Sequence, residues 1–329
     1  MGCTTERKES TLREKNEIPP ANQTEKDLEQ RLEKARRNSR TGVVFMVAGG
    51  AVFMLSQRLM AEEGVFIVLG LVAMLAGLLV LGIGIAPQYS ARGEMRNYLG
   101  GTVIPVVLSQ VFDDLEYEKN GYIDGGLIKS VDMSFPFRFD DVIGSDHVRG
   151  TYRGVHVELS DIRLMTVSTY TATDKDGNPR TEEKRKTVFQ GQWLILDFHK
   201  ELSADLCVFE GGRKRSGQIE TESAAFNEKF GISCDSAHDA FYILTPHMME
   251  HLMTMDQRAG GNIYLHFLKE GKVYVAVNSG RDHFEVGSLE YVKVSELLQR
   301  FRDETRYITE LIDALLTVDT LYKQQEVQS

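Results

Sequence analysis

The sequence predicts an α+β protein: a two-helix N-terminal transmembrane hairpin, then a cytoplasmic antiparallel-sheet domain closed by a C-terminal amphipathic helix. Three observations predict it. Val65–Ala86 runs without a single charge. Strand-like segments joined by turn residues fill the stretch from Phe137 to Val286. Leu298, Phe301, Thr305, Ile308, Leu311, Ile312, Leu315 and Leu316 recur at spacings of three and four, the mark of one apolar helix stripe.

The membrane segment comes first in the chain. At about 1.5 Å per residue, roughly 20 apolar residues cross a ~30 Å hydrocarbon core, so Val65–Ala86 is long enough. Gly42–Ser56 is shorter and reaches spanning length if it continues through Leu59 and Met60, with Arg58 snorkelling to the interface. Arg31, Lys34, Arg36, Arg37 and Arg40 precede the first span, and Arg92 and Arg96 follow the second. The short connection holds Arg58 against Glu62 and Glu63. Positive charge stays inside, so both termini are expected in the cytoplasm and the short loop outside. The start MGCTTE matches a myristoylation signal only in part, and no signal-peptide cleavage context follows the first span. Ala73 and Gly77, followed by Gly82 and Gly84, have the small-residue spacing of close helix packing, read as packing within the hairpin.

The expected organisation is a polar, partly helical segment over 1–41, the hairpin over 42–86, a juxtamembrane helical segment over 87–130 and the α+β domain over 131–329. Leu28, Leu32 and Ala35 put a thin stripe on a helix over Glu25–Arg37. Pro105 is a kink or a helix start, and NGY and DGG near Asn120 and Asp124 are turns. Val155, Val157 and Leu159 alternate with His156 and Glu158 as in a half-buried strand. The polar stretch between Thr166 and Lys186 reads as an exposed hairpin tip, and NIYLHFLKEGKVYVAVNS as a hairpin across Glu270-Gly271. Thr245 is the expected N-cap of a helix whose first position is Pro246.

Composition excludes several functions. The 329 residues carry 48 acidic against 38 basic side chains, a formal charge of −10, which opposes phosphate neutralisation and hence nucleic-acid binding. Cys3, Cys207 and Cys234 form no C-x-x-C and signal neither a disulfide framework nor structural zinc. No nucleotide-binding glycine motif and no nucleophile elbow occurs. GGRKRSGQ at 211–218 is read as an exposed loop. DKDGN fails as a calcium loop because Pro179 and Arg185 stand where Gly and Glu are needed.

One pattern carries chemistry. His247, Glu250 and His251 match the H-x-x-E-H of inverted zinc metallopeptidases, where two His one helical turn apart bind zinc and the Glu acts as base. Glu304 or Glu310 would supply the third ligand. At about 100° per residue, His247, Glu250, His251 and Thr254 share the polar side of an ordinary amphipathic helix, which permits the site without favouring it. Cys234, His238 and Asp239 are near in sequence only, Cys207 reads as a small core residue, and His199 and His266 as structural strand histidines. No cofactor is expected.

Several segments also resemble a known family. DDVIGSDHVRGTYRGVHVELSDI, TVFQGQWLILDFHKEL, FNEKFGISCDSAHDAFYILTPHMMEHL and IYLHFLKEGKVYVAV with DHFEV occur in this order, and together resemble the bacterial domain-of-unknown-function family 3137 over roughly Leu99–Leu321. The most specific pieces are Val188-Phe189-x-Gly191, Phe226-x-x-x-Phe230 and Leu244-Thr245-Pro246-x-x-Met249-Glu250. The resemblance implies a membrane-anchored bacterial protein with a cytoplasmic α+β domain, and it implies no reaction. It points to LemA-type membrane proteins as neighbours. Its pattern requires no His at 247 or 251, which lowers the metallopeptidase reading.

The function expected is that of an inner-membrane scaffold that binds a protein or lipid partner without catalysis. Two alternatives stand beside it: a zinc-dependent hydrolase on His247, Glu250 and His251, and a lipid-recognising domain resembling the pleckstrin-homology fold. Inner-membrane lipid and a LemA-type protein are the expected partners, and a homo-oligomer is left open.

Overall fold

The computed structural model describes residues 20–60, 65–131, 138–173, 178–197, 205–210, 219–284 and 293–317. The Cys3 start, the Glu62–Glu63 loop, His199, the 211–218 loop and the helix end near Tyr322 lie outside them. The chain forms two compact units, Met1–Val107 with Ser288–Val294, and Leu108–Gly287 with Ser295–Ser329.

The first unit is built on two long helices, α1 (Ala21–Met60) and α2 (Val65–Tyr98). The apolar stretch of α2, Phe66–Ile85, has a mean hydropathy of 2.9 and is long enough to cross a membrane. Glycines set the approach of the pair. A Cβ at Gly77 would lie 3.0 Å from Phe53 N, and one at Gly84 would lie 2.8 Å from Gly42 O. Small residues therefore let the two backbones touch within the hairpin. Outside the apolar stretch the pair turns polar: the Tyr98 hydroxyl donates to Thr24 O at 3.4 Å, and the Arg31 guanidinium sits 4.2 Å above the Tyr98 ring. Helix α2 is continuous through Pro87, and a π-helical turn (Leu99–Val103) then leads into α3 (Ile104–Leu108), so Pro105 stands at a helix start.

The second unit is one eight-stranded antiparallel sheet with helices against it. Its strands are β1 (Asp113–Glu118), β2 (Asp141–Tyr152), β3 (Val155–Thr173), β4 (Pro179–Asp197), β5 (Leu206–Glu210), β6 (Phe230–Cys234), β7 (Asn262–Phe267) and β8 (Lys272–Asn278), in the order β1-β2-β3-β4-β8-β7-β5-β6. The helices are α4 (Gly125–Ser130), α5 (Ala224–Lys229), α6 (Ala237–Ile243), α7 (Pro246–Ala259) and α8 (Val294–Thr317). β1 lies in a stretch whose sequence reads as helix and turns. DDLEYE is an edge strand with only half-buried alternation, so its apolar signal is thin. The Asp124 turn residue caps α4 instead, accepting from Leu127 N at 3.0 Å.

Both faces of the central strands are buried, which explains their near-continuous apolar runs. Ile162, Leu164, Phe189, Trp193, Ile195, Phe209, Tyr264 and Ala276 form one core layer with Ile123 and Ile128. On α8 the buried residues include Leu298, Phe301, Thr305, Ile308, Leu311, Ile312 and Leu315, the stripe seen in the sequence. Burying each Leu, Ile or Phe there contributes about 1.5–3 kcal/mol. The helix packs on its own chain: Tyr307 donates to Gln192 of β4, and Tyr152 of β2 donates to Asp313 at 3.2 Å. β3 and β4 run on together past the sheet to Thr173 and Pro179 as an exposed ribbon.

Candidate functional site

Helix α7 begins as its sequence dictates. The Thr245 hydroxyl accepts from Met248 N at 3.2 Å, Pro246 takes the first position, and Met248, Leu252, Met255 and Ala259 are buried. The opposite face carries the H-x-x-E-H residues. His247 and Glu250 are exposed and His251 is partly exposed. The two imidazole Nε2 atoms lie 3.1 Å apart with rings at 82°. Among the described residues no His, Cys, Asp or Glu joins them as a third ligand. Glu304 and Glu310 have other partners: Glu304 takes His283, and Glu310 takes Arg258. Cys207 is buried in β5, and burial raises the Cys234 thiol. His238 meets the neighbouring Asp239 at 3.5 Å and the Tyr242 ring at 5.4 Å between centroids.

The structure gathers a different set of residues where β8 runs out. Gly191 of β4 makes this possible: a Cβ there would lie 1.9 Å from Val277 O, so only glycine lets the strands close. Gly261 does the same one strand away, with a Cβ position 2.2 Å from Asn278 O. The segment after β8 then folds back over the sheet. His283 Nε2 meets the Ser279 hydroxyl at 2.8 Å, and its Nδ1 meets the Glu304 carboxylate on α8. Arg300 donates to His283 O at 3.2 Å and lies 3.7 Å from Glu304. Burial alone would raise the Glu304 carboxyl; the His283 hydrogen bond and charge, with Arg281 and Arg300, carry it below its ordinary value.

Ser279, His283 and Glu304 stand in the order of a hydrolase triad, with hydroxyl on Nε2 and carboxylate on Nδ1. The two backbone amides beside the hydroxyl are already taken. Ser279 N donates to Val277 O at 3.1 Å and Gly280 N to Gln190 O at 2.8 Å, so neither amide is left to receive an oxyanion. The arrangement is a clamp that fixes the loop onto α8.

The clamp shapes a cavity of about 970 Å³ between α7, the end of β8 and α8. Arg258, Arg281, Arg300 and Arg306 line it. Three of these have carboxylate partners: Arg258 with Glu310, Arg300 with Glu304, and Arg306 with Asp303 at 3.3 Å. Among the described residues Arg281 has no ion pair. The cavity has the size and mixed lining of a small-molecule or peptide site.

Beside it, on β2, β3 and the loop, Asp146, Asp161 and Asp282 place carboxylate oxygens within 4.8 Å of one another. Asp161 Oδ2 accepts from His283 N at 3.1 Å and Phe284 N at 3.3 Å, whereas its buried Oδ1 has no donor among the described residues. Tyr117 donates to Asp146. Burial, with Asp282 and Asp146 nearby, raises the Asp161 carboxyl well above its ordinary value, and burial raises Asp146 as well. None of these residues carried a local sequence signal: Asp161 and His283 are distant in the chain and meet only because β3, β4 and β8 are neighbours.

Comparisons with known proteins add the following. No curated protein matches the chain. A crystal structure titled as the mycobacterial trehalose monomycolate transport factor A, TtfA, is similar at 11% identity and a TM-score of 0.36, covering 71% of this chain and 98% of that one; a likeness this low carries no argument. Residues 187–316, which hold α7, β8, α8 but for its last residue, and every residue lining the larger cavity, match the model of the family described as a protein of unknown function, DUF3137, and the resemblance read from the sequence holds over that stretch.

Proposed function

We propose that this is a membrane-anchored binding protein, whose two apolar helices hold an α+β domain at the inner membrane so that the Arg-lined cavity engages a partner there. One observation carries the reading. Phe66–Ile85 is only 11% buried, and Leu69, Leu75 and Leu79 are 52%, 63% and 65% exposed. A soluble core helix hides such residues, while a membrane helix gives them to lipid. The Arg-rich flanks support cytoplasmic termini and an external loop between the helices. Tethering confines the domain to a surface and raises its effective concentration for a partner in the same membrane. A LemA-type membrane protein is the first partner to test, and Arg281, which has no ion pair among the described residues, favours an acidic group on it.

Two measurements test this. Alkaline carbonate should leave the full chain in the membrane pellet, and a fluorescent reporter fused after Ser329 should light up while a periplasmic phosphatase fusion stays silent. A photo-crosslinker at Gln299, in the cavity, should trap a membrane-protein partner that the same group at Ser168, on the exposed ribbon, does not. Release of the chain by carbonate, or equal trapping at both positions, would overturn the proposal.

A further inference from the structure

Buried charges in proteins are paired with an opposite charge or coordinate a metal. Asp146 and Asp161 are 8% and 4% exposed, and on Asp146 burial outweighs the charge of Lys119. Backbone and hydroxyl donors suit the ionised forms, whereas the side-chain hydrogen bond between Asp161 and Asp282 favours a held proton. Asp161 Oδ2 takes two backbone N–H groups, and Asp146 takes the Tyr117 hydroxyl. Asp282 adds a third carboxylate from the loop.

Three acids together do not make a site. A separate observation is the Asp161 Oδ1 atom, buried and without a hydrogen-bond donor among the described residues, on a residue that lines a second cavity of about 130 Å³. Asp282, Gly144 and Ser145 line the same cavity, and so do Arg163 and Arg281; Asp146 joins the carboxylate group from beside it. An acceptor shut away from water without a donor costs about 1–3 kcal/mol, more when charged. A cation in the cavity removes that cost and the repulsion among the three carboxylates at once.

We propose that Asp146, Asp161 and Asp282 bind one hard divalent cation, of the calcium, magnesium or manganese class. The donors are all oxygen, which selects these ions over zinc or copper. Carboxylate oxygens within 4.8 Å of one another are near the spacing that ligands at about 2.4 Å from one calcium ion adopt. The bound ion would tie β2 and β3 to the loop that carries Arg281 and His283 to the larger cavity. The proposal goes beyond the binding-protein reading and does not depend on it: a chain without the ion could still be anchored and bind, and a chain with it could still be soluble.

The test uses the full chain in detergent, stripped with a chelator and titrated separately with calcium, magnesium, manganese and zinc chlorides by calorimetry. Manganese is followed by its spin-resonance signal as well. Calcium, magnesium or manganese should bind at one ion per chain. Asp282→Asn, a half-buried position, should weaken binding about tenfold or more. Asp161→Asn keeps an acceptor for the two backbone N–H groups and should weaken it further. His247→Ala with His251→Ala should leave it unchanged. No uptake of any of the three hard ions by folded wild-type chain would overturn the proposal. So would undiminished binding in both Asp variants, or uptake of zinc alone that disappears with the two histidines.

Discussion

The Tyr307 hydroxyl on α8 donates to Gln192 Oε1 on β4, where Gln192 is buried and Tyr307 half-buried. This bond pins the C-terminal helix to the strand that also carries Trp193, the chain's single tryptophan. Tyr307→Phe removes the donor and strands a buried amide, at a cost of about 1–3 kcal/mol. Trp193 fluorescence should report a melting midpoint lower by about 2–4 °C for each kcal/mol lost. Replacing both partners, Tyr307→Phe with Gln192→Leu, should recover part of the loss.

Gly191 and Gly280 should respond in opposite ways to alanine. At Gly191 the new methyl would meet Val277 O at 1.9 Å, backbone against backbone, so the strands must part. The expected cost is about 3 kcal/mol or more, read as loss of soluble, cooperatively melting protein. Gly280 has φ +73° with open space around it, so alanine there meets only backbone strain of about 1 kcal/mol. Equal effects at the two positions would contradict the packing described.

Much of the fold was legible because it rests on local period. The α8 stripe, the Thr245-Pro246 helix start and the turn at Gly271 each announce themselves within a few residues. β1 did not, because an acidic edge strand buries too little to show alternation. The functional region was the least legible part. H-x-x-E-H is compact in sequence, yet its residues face away from the helix's buried side. Ser279, His283, Glu304 and Asp161 come from three separate stretches that only the strand order brings together. In the Val188-Phe189-x-Gly191 piece the glycine has a physical reason, the close Gly191–Val277 approach.

Acid should expose the Glu304 clamp. Its carboxyl is held below the ordinary 4.5 in the folded chain, so the unfolded chain binds the proton more readily. The stability that Glu304 confers is therefore complete above about pH 4.5 and is lost as the pH falls through the lower, folded value. Glu304→Gln should be less stable than wild type at pH 7, and the gap should close on acidification toward pH 3. A gap that widens in acid would contradict the sign of the shift.

Ser279 should not behave as a hydrolase nucleophile. A fluorophosphonate probe needs both an activated hydroxyl and amide donors for the phosphoryl oxygen, which stands in for the oxyanion of acyl transfer. His283 supplies the first, while the Ser279 and Gly280 amides already bond Val277 O and Gln190 O. The full chain incubated with the probe beside an active serine hydrolase should show no adduct on Ser279 by peptide mass spectrometry. Ser279→Ala should instead lower the melting midpoint modestly, by loss of one hydrogen bond of about 0.5–1.5 kcal/mol. A Ser279 adduct that disappears in His283→Ala would show that the loop opens to free its amides, and the clamp would then have to be read as an active site.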